Sequence, residues 1–164
     1  MPRRGRRRIL GQFELSGFFE KLRERDSFVD VRMLVSDRDL IVERLSKPTI
    51  HRLLEQTGIR VSRDKLPDPG GSARSVIIHA SKWEQPVETR CQGRSPVSGF
   101  LWRILTGKGL MAFMLTEDDS ANSVERVARA AASRLKSRKR RVVSNHSGLR
   151  KALQSELNGW RIDA

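Results

Sequence analysis

The stretch Ser75–Trp160 decides the fold. It opens on Ser75–Ser81, SVIIHAS, a β-rich run behind a Pro/Gly turn. Leu110–Thr116, LMAFMLT, is a continuous apolar run, the pattern of a strand covered on both faces. Beyond it lies the clearest helix: Val124, Val127, Ala128, Ala131 and Leu135 recur at helical spacing and make one apolar stripe. Asn122 is placed to cap it, with Glu125 completing a capping box. Phe100–Thr106, FLWRILT, reads as a helix with apolar residues on most sides, stopped by Gly107. Arg141–Ser144, RVVS, reads as a third strand. Ser147–Trp160 reads as a closing helix with Leu149, Ala152, Leu153, Leu157 and Trp160 inward. The order is then strand, helix, strand, helix, strand, helix. Alternation of this kind predicts parallel pairing with helices packed on a small sheet. The fold class expected is α/β (or α+β).

Working outward, Leu66–Arg74, LPDPGGSAR, is the strongest loop signal and separates this half from the elements in residues 9–65. Ile9–Arg25 reads as an amphipathic helix, interrupted by Gly11 and Gly17. Phe28–Val35 alternates apolar and polar residues as a half-buried strand does. Ser36–Glu43 and Lys47–Thr57 read as two short helices around a turn at Arg44–Ser46, the second ended by Gly58 at its C′ position. Trp83–Gly99 is loop-rich. A chain of 164 residues fits one domain, here residues 9–164, preceded by a disordered basic arm, Met1–Arg8.

The formal net charge is +14, and the 33 cations are mostly arginine. Such an excess favours a polyanionic partner, and arginine suits bidentate phosphate contacts. A GC-rich coding sequence would give the same arginine bias without any binding role. Cys91 is the single cysteine, so no intramolecular disulfide forms. No run reaches the length of a membrane span, and no apolar signal core follows the N-terminal arginines. An intracellular protein is expected, cytoplasmic or nucleoid-associated, or nuclear in a eukaryotic host.

Two basic clusters stand out. Arg3, Arg4, Arg6, Arg7 and Arg8 form the N-terminal arm, and Arg134, Lys136, Arg138, Lys139, Arg140 and Arg141 form RLKSRKRR. Each reads as a clamp on a phosphate backbone, with affinity that falls as salt rises. The alternatives are a solubilising tail, a nuclear-targeting signal, and cations favoured at a helix C-terminus.

The segment SKPTIHRLLEQTGI, residues 46–59, resembles the helix-turn-helix of bacterial regulators and transposases. That resemblance implies groove or phosphate contacts from Lys47, Thr49 and Arg52. Its alternative is two ordinary amphipathic helices, with Pro48 in the first turn of the second.

Residues 76–153 resemble the back half of Mrr-type restriction endonucleases of the PD-(D/E)xK fold. The likeness rests on the order VIIHASKWEQPV, a helix, GLMAFMLTEDDSANSVERVARAA and RVVSNHSGLRKAL. It implies a metal-dependent nuclease in which Lys82 and an Asp, either Asp64 or Asp68, would be catalytic and Mg²⁺ the ion. Ala80 departs from this pattern: it stands where that family places Gln or Glu, and supplies no oxygen to a hard cation.

His79, Cys91 and His146 lack metal-ligand spacing, and Gly107–Gly109 lacks the rest of a phosphate loop. Glu117, Asp118 and Asp119 precede a helix, where the dipole favours carboxylates. The reading is therefore a non-catalytic, arginine-rich nucleic-acid-binding protein, for DNA before RNA, with no cofactor and no membrane partner. A divergent Mg²⁺-dependent nuclease and a non-catalytic protein-interaction or nuclear-targeted protein are the alternatives.

Overall fold

The computed structural model describes residues 14–61, 65, 75–90, 93, 95–135 and 141–164. The basic arm Met1–Arg8, residues 9–13 of the first expected helix, the loop 66–74, Asp64, Asp68, Cys91, and Lys136, Arg138, Lys139 and Arg140 lie outside them. In chain order the elements are α1 (Leu15–Glu24), β1 (Val29–Asp30), α2 (Lys47–Gln56), β2 (Ser75–Glu84), β3 (Ser98–Thr106), β4 (Gly109–Thr116), α3 (Ala121–Leu135), β5 (Arg141–Ser144), α4 (Ser147–Glu156) and β6 (Arg161–Asp163). The fold is α/β, a six-stranded mixed sheet in the order β1-β4-β3-β2-β5-β6.

β2, β3 and β4 form an antiparallel meander. β5 then joins the outer side of β2 in parallel, and β6 joins β5 in parallel. β2, β4, β5 and β6 consequently share one direction. The expected all-parallel pairing is thus corrected to a mixed sheet, and the cause is the segment Phe100–Thr106. It is strand, not helix. Periodicity cannot separate a short apolar helix from a strand buried on both sides. Here Leu101 enters the core beneath α1 and α2, while Trp102 and Ile104 enter the core beneath α3 and α4. Gly107 and Lys108 form a two-residue hairpin turn, with Thr106 opposite Gly109. The layout on which the restriction-endonuclease resemblance rests, a helix after the first strand, is therefore not that of this chain.

Both faces of the sheet are covered. On one, Leu15, Phe18, Phe19 and Leu22 of α1 and Ile50, Leu53 and Leu54 of α2 meet Trp83, Leu101, Phe113 and Leu115. Spacings of three and four residues make each set one helix face. On the other, Val127, Ala128 and Ala131 of α3 and Leu149 and Leu153 of α4 meet Val76, Ile78, Trp102, Met114 and Val142. Alternate residues of each strand thus feed two separate cores.

Several local expectations change. Ser36–Glu43 is not a helix, because the Asp37 carboxylate takes the N–H of Leu40 (3.2 Å) and two N–H groups of Arg25 (2.5 and 2.8 Å). A side chain that captures nearby backbone donors competes with helix formation. The first helix of a helix-turn-helix is thus missing, while α2 begins at Lys47 as predicted and ends one residue early, at Gln56. The Phe28–Val35 strand shrinks to Val29–Asp30, since Asp30 Oδ1 accepts from the N–H of Arg32 (2.8 Å) and its carbonyl from the N–H of Met33 (3.1 Å). Capping of α3 shifts from Asn122, which is exposed, to Ser120 and Asp118. The Ser120 carbonyl accepts from the N–H of Val124 (2.9 Å), and Asp118 Oδ1 from the Ser123 hydroxyl (2.7 Å). Glu125 pairs with Arg129 on the helix surface instead of closing a box. Finally, α4 stops at Glu156. The chain turns through Gly159 (φ 80°) and adds β6, leaving Trp160 half-buried beyond the helix.

Candidate nucleic-acid interface

Shared strand direction sorts the charges. The carboxyl ends of β2 and β4 carry Glu84, Glu117, Asp118 and Asp119. The opposite edge carries Lys108 in the hairpin, Arg134 at the end of α3, and Arg141 and Arg161 at the starts of β5 and β6. α3 runs from the acidic edge to the basic one, the arrangement its dipole favours.

Two of the predicted phosphate contacts are engaged within the fold. Arg134 pairs with Asp30, and both side chains are about a quarter exposed (24% and 27%). Arg141 Nε donates to Asp163 Oδ2 (2.6 Å), which also accepts from Arg161 Nε (2.9 Å). Those guanidinium donors hold the Asp163 carboxyl below the usual carboxylate value. Arg25, Arg90 and Arg126 likewise hold Asp37, Glu84 and Asp26.

α2 behaves differently. Ser46 caps it, with Oγ accepting from the N–H of Thr49 (3.3 Å) and lying 2.7 Å from Thr49 Oγ1. Thr49 is thereby occupied in the cap. The other end closes on Leu54, whose carbonyl accepts from the N–H groups of Ile59 and Arg60 (both 3.0 Å). Gly58 makes that reversal with φ +75°, a conformation that costs side-chain-bearing residues energy. The reversed chain returns Arg60 along the helix to His51.

Two side chains from the sheet clamp this end. Trp83 Nε1 donates to the Thr57 carbonyl (2.8 Å). Arg103 Nε donates to the carbonyl of Ile59 (2.7 Å), and its Nη2 to that of Gly58 (2.6 Å). Arg103 is largely buried, which lowers its pKa, yet it sits where a helix C-terminus favours a cation.

The result is a shallow depression of about 470 Å³ lined by Lys47, Pro48, His51, Arg52, Glu55 and Arg60. Among the described residues, its three cations make no ion pair. His51 has its pKa lowered by burial first, then by Arg60 and Lys47, with Glu55 opposing. The structure thus brings Lys47 and Arg52 together, as expected, and adds His51 and Arg60. His51 was legible as the fourth residue after Lys47 on one helix face. Arg60 was not, because only the turn at Gly58 returns it.

The nuclease residues do not assemble among the described residues. Lys82 is exposed on β2, opposite Phe100. Ala80 is buried in the core beneath α3 and α4, with both backbone groups bonded to Asn145. No side-chain oxygen for a hard cation such as Mg²⁺ stands at that position. Among the described residues no group of three or more His, Cys, Asp and Glu is placed to hold a metal ion.

His146 is a structural cap. Its Nδ1 accepts from the N–H of Leu149 (3.1 Å), which leaves the ring proton on Nε2, 3.0 Å from Asp119 Oδ2. No described helix is long and apolar enough to cross a membrane.

No protein-family model, no curated protein and no solved structure matches this chain.

Proposed function

We propose that this protein binds nucleic acid, duplex DNA before RNA, through phosphate contacts and without catalysis. The observation that carries the reading is how the positive charge is distributed along the sequence. Arg3, Arg4, Arg6, Arg7 and Arg8 supply five positive charges, and Lys136, Arg138, Lys139 and Arg140 supply four. No carboxylate falls within either run. These runs account for nine of the fourteen net charges, whereas many described arginines are neutralised by carboxylates of the fold. A fold that pairs its own cations and leaves two acid-free runs has charge to offer a polyanion.

Aromatic placement supports a duplex over a single strand. Among the described residues no Trp or Phe is exposed, and Trp83 and Trp102 spend their N–H groups inside the fold, on Thr57 and Thr116. A single-strand platform needs exposed rings on which bases stack.

The test is retardation of a duplex DNA across a salt series, with single-stranded DNA and duplex RNA as competitors. Binding is expected to weaken steeply with salt, each neutralised phosphate adding about 0.9 to the logarithmic slope. Replacing Lys136, Arg138, Lys139 and Arg140 by Ala should reduce that slope by about four. Absence of a shift at low salt would overturn the reading. Mg²⁺-dependent nicking of a supercoiled plasmid would replace it with the nuclease alternative.

A further inference from the structure

We infer that the depression on α2 is a subsite for one phosphate of the nucleic-acid backbone, and that His51 engages that phosphate in its protonated form. The inference rests on the nucleic-acid reading above. It differs from a recognition helix in a groove, because the partner helix of that motif is absent and Thr49 is held in the cap of α2.

Three observations lead to it. First, Lys47, Arg52 and Arg60 converge on one concavity although like charges repel, and none has an ion-pair partner among the described residues. An anion between them removes the repulsion. Second, the convergence is built. Gly58 reverses the chain, and Trp83 and Arg103 fix the carbonyls of Thr57, Gly58 and Ile59, so Arg60 is held beside His51 by the sheet. Pre-placed cations lose less freedom on binding than cations on a free tail. Third, His51 is partly buried at the floor of this charge. Burial and the two cations Arg60 and Lys47 disfavour its charged form in the free protein, against the single carboxylate Glu55.

A phosphate reverses that balance. Its negative charge favours the imidazolium, so binding takes up a proton at His51. The sign follows from linkage. The value is lowered in the free protein, and a bound phosphate raises it above that free value. Affinity therefore strengthens as pH falls through the bound value, and levels off below the free value.

The experiment is fluorescence anisotropy of the full chain with a short labelled duplex, across salt and from roughly pH 8 to pH 5.5. Lys47→Gln, Arg52→Gln and Arg60→Gln together should reduce the salt slope by about one, the share of a single phosphate. The charge-matched set Lys21→Gln, Arg38→Gln and Lys151→Gln, all exposed and none lining the depression, should leave it nearly unchanged. For the wild type, affinity should tighten by up to about tenfold per pH unit within the window, the limit for one proton. His51→Gln should abolish that tightening and keep the high-pH affinity. If both charge sets act alike, or His51→Gln leaves the pH profile intact, the subsite is overturned while nucleic-acid binding stands. If the wild type binds no nucleic acid at low salt, both readings fall.

Discussion

The side chain of Asn145 bonds both backbone groups of Ala80. Its Oδ1 accepts from the Ala80 N–H (2.7 Å), and its Nδ2 donates to the Ala80 carbonyl (2.8 Å). β5 ends at Ser144, opposite Ile78, so the backbone ladder between β2 and β5 stops just short of Ala80. Asn145 extends it by one step with an amide that imitates a strand. Asn145→Asp removes the donor and sets a carboxylate against a carbonyl. A loss of about 1–3 kcal/mol in urea unfolding is expected, and Asn145→Ala should cost a similar amount by leaving both groups unpaired.

Gly99 is fixed by proximity. A Cβ there would lie 2.2 Å from the carbonyl oxygen of Thr116 and 3.4 Å from Leu115 Cδ1. Both atoms belong to β4, and Thr116 also accepts the Trp102 indole N–H through Oγ1 (2.9 Å). Gly99→Ala must push β3 from β4 at that point. The expected loss is about 1–3 kcal/mol, measured by thermal or urea unfolding, with weakened burial of Trp102 visible as a red-shifted emission.

Arg134 separates fold from binding. Its guanidinium holds Asp30, the residue that ends β1 and also takes the Arg32 N–H. Arg134→Gln should reduce stability by about 1–3 kcal/mol while the salt slope of DNA binding stays as it was. The four-residue change at 136–140 should do the reverse. A fall in the slope with Arg134→Gln and no change in stability would restore it to the phosphate-binding set.

Stability should fall with acid in two windows. His79 has its pKa lowered by burial first and then by Arg103, the residue paired with it on β3. The unfolded chain takes up the proton first, so stability declines as pH drops below 6.5 and levels off beneath the folded value. Asp37 has its pKa lowered, chiefly by its bonds from Arg25. Its contribution is full above the unfolded value of 3.8 and is lost as pH falls through the folded value. Urea midpoints across pH should show both limbs. His79→Gln should make the upper limb shallower, with His51 supplying the remainder, and Asp37→Asn the lower, which Asp163 shares.

The sequence by itself determined those elements whose local pattern has one physical solution. The stripe from Val124 to Leu135 fits a helix period only, and α3 forms there. Ser46, Pro48 and Gly58 fix both ends of α2, because capping, proline geometry and a left-handed turn act over a few residues. The runs at Gly109–Thr116 and Arg141–Ser144 are strands as expected. Charge excess was legible too, since it is a property of composition. The tertiary structure decided the rest. Phe100–Thr106 is apolar on both sides, and only its hydrogen bonds to β2 and β4 make it strand. Arg134 and Arg141 look like the rest of their basic run, and only Asp30 and Asp163, remote in sequence, mark them as structural. The cluster of Lys47, His51, Arg52 and Arg60 depends on a chain reversal held by Trp83 and Arg103 from the sheet. Short-range sterics and capping are written in neighbouring residues; ion pairs, sheet partners and converging cations are set by groups far along the chain.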